Sequence, residues 1–465
     1  MPSGWSLNMS FLAELANKRI VVLGGGVTGS ALIKFLVGKG TSVTLVDEKP
    51  SFVHGISALT NLPEALDFDL AIVSPGWRRD HSFVSQLRSA QIEIVSELDF
   101  AWLVKEEIAP EQKWIALTGT NGKTTAIKMV ESIFQAASLA GIACGNVGNP
   151  VIEVLGGDQK YDVLALELSS FQIEWSQLPE FEAIAILNIA QDHIDWHGSF
   201  DSYANAKLRL LDKTKLAVLN YDDVEVASRT FSHGVRKIYF SLNTPAPGEL
   251  GLVEELLVDR AFNDDHSQAE FIAELGDIKP TVPHNVSNAL AASGLALSLD
   301  IEYSKIQLGL QNFKTDRHRQ ELIDTVGGVS WIDDSKATNP HAAAASLLSF
   351  FSVVWIAGGL AKGATMDSLV QRSAARLKAA ILIGQDRELI ATALARYAPH
   401  VEILRVDSEI GSDDLMRKVV KSAKSLAESG DTVLLAPACA SMDQFVSYAQ
   451  RGDLFAQMVK EEVNQ

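Results

Sequence analysis

The chain has 465 residues, 47% hydrophobic and 21% charged, and a net charge of −18; at about 150 residues per domain, this length predicts three domains of ordinary globular composition. The acidic balance shows no basic stripe and speaks against a nucleic-acid partner, and no apolar N-terminal run or stretch of about 18 apolar residues is present, so neither a signal peptide nor a membrane span is expected. Cys144 and Cys439 lie far apart and offer no disulfide framework, which fits the cytoplasm.

In chain order, RIVVLGGG (19–26) predicts a strand, followed by a helix from Thr28 to about Lys39 and a strand SVTLVD (42–47). LAIVSPG (70–76) and IEIVSE (92–97) predict further strands. The alternation argues for a parallel α/β sheet. GGGVTG sets Gly24, Gly26 and Gly29 in the G-x-G-x-x-G spacing, with Asp47 at the end of the next strand. That is the dinucleotide fingerprint. Taken alone it suits NAD, but the same geometry can hold another nucleotide diphosphate, or be only a tight strand-to-helix turn. The polar stretch LVKEEIAPEQK (103–113) predicts the first linker.

A second α/β unit opens with WIALT (114–118), a glycine loop and a helix from Lys123 to about Leu139. The loop departs from the usual G-x-x-x-x-G-K-[ST] pattern, because Leu117 stands where the first glycine belongs and glycine comes at 119. Its setting between an apolar strand and a helix still predicts a phosphate cradle, with Lys123 reaching terminal phosphates and Thr124 offering a hydroxyl to Mg2+. Strands follow at VLALELS (163–169), AIAILNI (183–189) and LAVLN (216–220). Glu167 ends the first of these, and an acid in a buried strand is costly unless paired or metal-bound. NIAQDHIDWH (188–197) gathers Asp192, His193, Asp195 and His197 just after a strand, where ligands collect in open α/β sheets. Oxygen donors with an imidazole suit Mg2+ or Mn2+; a polar loop with a capped helix is the alternative. Residues 240–285 carry only weak strand patterns, and 283–299 predicts a helix.

A boundary falls near QNFKTDRHRQE (311–321), and a third α/β unit follows: VSWIDDS (329–335), VVWIAGG (353–359), AAILIGQ (379–385), VEILRVD (401–407) and DTVLLAPA (431–438). WIDDSKATNP, GGLAKG and APACASMDQF each form a loop after a strand; any one alone reads as a helix N-cap region, but together they point to one edge of the sheet.

GTNGKTT (119–125), ELSSFQ (167–172), the 188–197 stretch, HNVSNALAA (284–292) and HRQE (318–321) resemble the Mur ligase family, in which GTNGK(T/S) replaces the standard loop. The resemblance runs from residue 24 to about 452. It implies three domains: a Rossmann-like domain (1–108) for a UDP substrate, a central P-loop-type ATPase domain with a mostly parallel sheet (109–315), and a C-terminal Rossmann-like domain for an amino acid (316–465). GGGVTG with Asp47, DDSKATNP and APACASMDQF resemble the branch that adds D-glutamate to UDP-N-acetylmuramoyl-L-alanine with ATP, through an acyl phosphate. A cytoplasmic monomer with two Mg2+ ions and small-molecule partners is implied.

Residue by residue, Gly119, Thr120, Asn121, Gly122, Lys123, Thr124 and Thr125 match the ATP loop. Asn285, Asn288, His318, Arg319 and Asp334 match nucleotide contacts. Thr124, Glu167 and His193 match metal ligands, and Lys207 matches a carbamylated lysine that becomes an anionic oxygen ligand. Val27, Thr28, Asp47, Gly76, Asn146 and His193 match the UDP-substrate site. Lys336, Thr338, Lys362, Ser441 and Tyr448 match the D-glutamate region. The chain departs from the family pattern at Leu360, Tyr448 and Asp333.

Overall fold

The computed structural model describes residues 10–177, 179–263, 265, 267–408 and 411–463. They form two compact units, Met1–Ile189 with Asp201–Phe313, and Ala190–Phe200 with Lys314–Gln465. Among the described residues the first unit holds two main sheets and a small two-stranded ribbon, Phe52–Val53 with Ile56–Ser57, and the second holds one sheet.

The first sheet has four parallel strands in the order Ser42–Val46, Arg19–Leu23, Leu70–Val73, Ile94–Ser96. Its inner strands are continuous apolar runs because helices cover both faces. The strands end one to three residues earlier than predicted, most where the chain must leave the ladder to enter the glycine turn and the SPG loop. The stretch 103–113, read as a linker, is helical in its first half. Helix Glu97–Ile108 starts on the Ser96 cap and buries Leu98, Phe100, Ala101 and Val104. Helical spacing of these apolar residues outweighs the polar character of the outer face. Only 109–112 connects onward.

The second sheet has nine strands. Five carry the phosphate-loop architecture: Leu216–Asn220, Ala183–Ile186, Lys113–Thr118, Val163–Glu167 and Gly141–Gly145, all parallel. Arg236–Phe240 and Glu249–Val253 extend it in parallel, and Leu256–Asp259 and Glu270–Glu274 close it antiparallel. Helices Lys123–Ala136 and Pro283–Leu297 fill the core of this region with Ile127, Val130, Ile133, Ala289, Ala292 and Ala296. Small alanines let the second helix lie close to the first and to the sheet.

Between the two sheets, Trp175 stands on the short helix Ser170–Trp175 but lies in the apolar cluster of the first sheet, among Val73, Phe83 and Val84. Its indole N–H donates to the Trp77 carbonyl at 2.8 Å, and the Arg79 guanidinium lies over its ring. The two sheets of this unit are thereby pinned together.

The second unit carries six strands in the order Glu321–Val326, Val329–Asp333, Thr432–Leu435, Val353–Gly358, Leu377–Ile383, Glu402–Arg405. All neighbours are parallel except the first pair, a hairpin turned by Gly327 and Gly328, both at positive φ. Trp331, Trp355 and helix Ser412–Leu426 build its core.

Candidate active site

In the first unit the predicted residues converge on the carboxyl edge of the nine-stranded sheet. Thr118 ends its strand and the chain turns through 119–122 into helix Lys123–Ala136. Gly122 caps that helix at φ +83, and a Cβ on it would come 2.5 Å from Asn288 Oδ1. Only glycine allows this left-handed turn to close against helix Pro283–Leu297. Asn188 fixes the loop from below. Its side-chain Oδ1 accepts from the Asn121 N–H at 2.8 Å, its Nδ2 donates to Asn121 O at 3.0 Å, and its carbonyl accepts from the Thr120 N–H at 3.0 Å. Lys123 Nζ folds back on Gly119 O at 2.9 Å and Thr120 O at 3.0 Å. Its ammonium is therefore held at the loop. Thr124 and Thr125 are buried in the first helical turn, where N–H groups and the helix dipole favour an anion.

Glu167 ends the adjacent strand, in register with Leu117 and Gly145, and is 1% exposed. Its Oε1 accepts from Asn146 Nδ2 at 2.8 Å, while Oε2 is buried without a hydrogen-bond partner. A buried carboxylate oxygen left open is expensive unless a cation completes it. With the Thr124 hydroxyl it offers the oxygen donors that Mg2+ prefers. Ser169 and Gln172 form a capping box that starts the next helix directly after this strand and so fixes where Glu167 points.

Lys207 is also 1% exposed, on helix Phe200–Leu208. Its Nζ donates to Gly119 O at 3.0 Å and Thr118 Oγ1 at 3.3 Å and lies 4.7 Å from the Tyr203 ring centre. Tyr203 OH bonds Thr120 Oγ1 at 2.8 Å. Asn188 and Tyr203 were not singled out in the sequence. The four-residue spacing of Tyr203 and Lys207 on one helix face was the available signal.

In the first sheet, Asp47 accepts from Gly25 N at 2.7 Å and Lys49 N at 3.0 Å, so its carboxylate braces the glycine turn. Gly29 packs against the Gly24 carbonyl too closely for any side chain. Val27 is 76% exposed at the start of helix Val27–Gly38, beside exposed Gly26 and half-buried Thr28. Gly76 is exposed, three residues past strand Leu70–Val73. Asn285 and Asn288 are buried on helix Pro283–Leu297, and Asn285 Nδ2 donates to Pro280 O at 3.1 Å.

The second unit has its own convergence at the carboxyl edge of its sheet. His193 lies on its Ala190–Phe200 segment, at φ +52, capping the short helix Ile194–His197 with Asp192 beside it. His318 Nδ1 and Asp333 Oδ2 are 2.6 Å apart, both buried. The hydrogen bond to Asp333 raises the His318 pKa. Asp333, where the sequence departs from the family pattern, is thus a structural partner of His318. Burial pushes the neighbouring Asp334 carboxyl up to about 6, against the pull of the Ser346 hydroxyl and the Arg319 charge. Lys336 Nζ lies 4.0 Å from the Tyr448 ring centre. Thr338 is half-buried, Ser441 buried and Lys362 exposed at φ +49. Arg451, invisible as a site residue in the sequence, is fully buried. Its guanidinium donates to Ser335 Oγ and O at 3.0 Å and to Cys439 O at 3.3 Å, tying the loops of Lys336 and Ser441 together. Burial lowers its pKa to about 10, which leaves it charged at neutral pH.

A family model described as the Mur ligase middle domain matches residues 117–296, and one described as the Mur ligase glutamate ligase domain matches 318–439. A UDP-N-acetylmuramoylalanine–D-glutamate ligase of Thermobifida fusca is 42% identical over 465 residues, covering 96% of this chain and 99% of that protein. One from Streptomyces coelicolor is 43% identical, covering 97% and 99%. Among solved structures, a pseudomurein peptide ligase type C from Methanothermus fervidus is similar with a TM-score of 0.62 at 20% identity, over 96% of this chain and all of that one. That last likeness speaks for the fold alone.

Proposed function

The chain belongs to the Mur ligase family, and we propose that it joins D-glutamate to UDP-N-acetylmuramoyl-L-alanine, consuming ATP and releasing ADP and phosphate, as a step of peptidoglycan precursor synthesis. The observation that carries this reading is the near-complete match to relatives of that name. The open Glu167 oxygen on the strand beside a phosphate-type loop supports it.

In this reading the 1–108 domain holds the UDP end through Val27, Thr28, Asp47 and Gly76, and Asn146 and His193 meet the muramoyl part. The 109–315 domain holds ATP on residues 119–125, with Asn285 and Asn288 on the adenine side. The 316–465 domain contributes His318, Arg319 and Asp334 to the nucleotide and receives D-glutamate on Lys336, Thr338, Lys362, Ser441 and Tyr448. Thr124, Glu167, His193 and a carbamylated Lys207 would hold two Mg2+ ions, which neutralise phosphate charge. Among the described residues no helix is long and apolar enough to cross a membrane, and we take the enzyme to be a cytoplasmic monomer with small-molecule partners only.

The chemistry follows from the residues. The substrate carboxylate attacks the γ-phosphorus and ADP leaves, giving the acyl phosphate. The D-glutamate amine then attacks the acyl carbon, loses a proton, and phosphate departs. Phosphoryl transfer needs positioning and charge neutralisation more than covalent help. Lys123, fixed by two loop carbonyls, supplies a positioned charge. Lys336, Lys362 and the Ser441 hydroxyl suit an amino acid bearing two carboxylates.

Gly122→Ala should strain the loop by about 1–2 kcal/mol and raise the KM for ATP, with the KM for the UDP substrate unchanged; equal effects on both would contradict the loop assignment. The reading itself is tested by phosphate release from ATP and UDP-N-acetylmuramoyl-L-alanine across a panel of amino acids. Release with D-glutamate, and not with L-glutamate, L-lysine or diaminopimelate, is expected. Release with another amino acid would keep the ATP chemistry and overturn the choice of acceptor.

A further inference from the structure

We propose that Asp386 is a positioning residue for the amino-acid substrate, acting through the backbone of Ala361 to hold Lys362 in its left-handed turn; this rests on the D-glutamate reading above. Three loops leave the carboxyl edge of the second unit's sheet side by side, after strands Val353–Gly358, Leu377–Ile383 and Thr432–Leu435. They are fused by backbone. Leu360 and Ala440 exchange two N–H···O bonds of 2.9 Å. A Cβ on Gly384 would come 2.5 Å from the Gly359 backbone, so these turns touch with no room for a side chain.

Asp386 closes this assembly around the lysine loop. Its N–H donates to Gly359 O at 3.0 Å, and its Oδ2 accepts from Ala361 N at 2.8 Å. One residue thus brackets Gly359 to Ala361 from both sides. Ala361 O then accepts from Ala364 N at 2.9 Å, which closes a turn over Lys362 and Gly363, both at positive φ. Asp443 pins the next loop in the same way, its Oδ2 accepting from Gln385 N at 2.8 Å.

The physical consequence concerns Lys362. Its side chain is exposed, so nothing rigid holds the ammonium except its own backbone. That backbone is in a conformation that L-residues avoid, at a cost of about 1–2 kcal/mol. Ala361 is buried, so without the Asp386 oxygen its N–H would have to find another acceptor. The turn would relax towards ordinary φ, and Lys362 would swing away from the edge that also carries Thr338 and Ser441. Asp386 sits 24 residues beyond Lys362 in the chain and touches no substrate in this account.

The test is steady-state kinetics of the full-length enzyme with Asp386→Ala and Asp386→Asn, each with the three substrates varied in turn, alongside thermal melting. Asp386→Ala should raise the KM for D-glutamate about tenfold or more, leaving the KM values for ATP and the UDP substrate near those of the wild type. Asp386→Asn keeps an oxygen acceptor and should recover most of the loss. An unchanged KM for D-glutamate in a folded Asp386→Ala enzyme overturns the inference, as does an equal rise in all three values. If Asp386→Ala does not fold, the folded Asn variant decides: a rise as large as Lys362→Ala gives for D-glutamate would overturn it. Wild-type enzyme without D-glutamate-dependent turnover would overturn the proposed function, and the inference with it.

Discussion

Replacing Lys123 with alanine is expected to lower kcat by two to three orders of magnitude, about 3–4 kcal/mol, the range for loss of one preorganised charge contact. What matters is where the ammonium is held. Nζ donates to Gly119 O and Thr120 O, so the lysine is fixed at the rim of the loop before any ligand arrives. Charge fixed in advance costs no reorganisation when phosphate charge shifts in the transition state. The lysine opens helix Lys123–Ala136, and its removal leaves the Gly122 cap and the Asn188 clamp in place. Melting temperature should therefore change little. Steady-state phosphate release at saturating substrates checks this, and turnover near the wild type would sink the assignment of the loop.

Lys207→Ala should also be damaging, with about a ten- to hundredfold loss of activity, the scale seen when the support of a metal site is removed. A buried ammonium is an odd choice for a site proposed to hold a cation. Its partners, Gly119 O and Thr118 Oγ1, are both acceptors that an N–H can satisfy. If the ammonium releases a proton and CO2 adds to the free amine with release of a second proton, one N–H remains for these partners and two oxygens sharing one negative charge are gained as donors. The alanine variant then has both a hole and a missing anion, and formate, acetate or propionate added to the assay should restore part of the rate. Full activity without them, or no recovery with any of them, would count against the carbamate.

The parts of this site that were legible in the sequence have short-range causes. GTNGKTT needs only a strand before it and a helix after it, and both are local. Glu167 announces itself as an acid closing an apolar strand. Gly24, Gly29 and Asp47 declare a tight turn and its brace, and the structure finds Asp47 bonded to the Gly25 N–H. What stayed hidden depends on residues distant in sequence. Lys207 looks like a solvated helix lysine until the helix is packed, and nothing local says that its face turns inward. Asn188 is one polar residue among many in its loop, but its amide holds Asn121 from 67 positions away. Arg451 and Asp386 act on backbone groups of other loops, a role that leaves no composition signal. The hairpin strand Glu321–Val326 was lost in a boundary region, although Gly327–Gly328 before an apolar strand is a recognised turn signal. The helix over 97–108 was lost because a polar outer face resembles a linker when its apolar period is not counted.

The central claim is that a substrate carboxylate becomes an acyl phosphate. UDP-N-acetylmuramoyl-L-alanine labelled with 18O in its carboxylate measures this directly. Turnover with ATP and D-glutamate should place one 18O atom in each phosphate released, because the oxygen that attacks phosphorus leaves with it. Phosphate carrying oxygen only from ATP and solvent water would contradict the account.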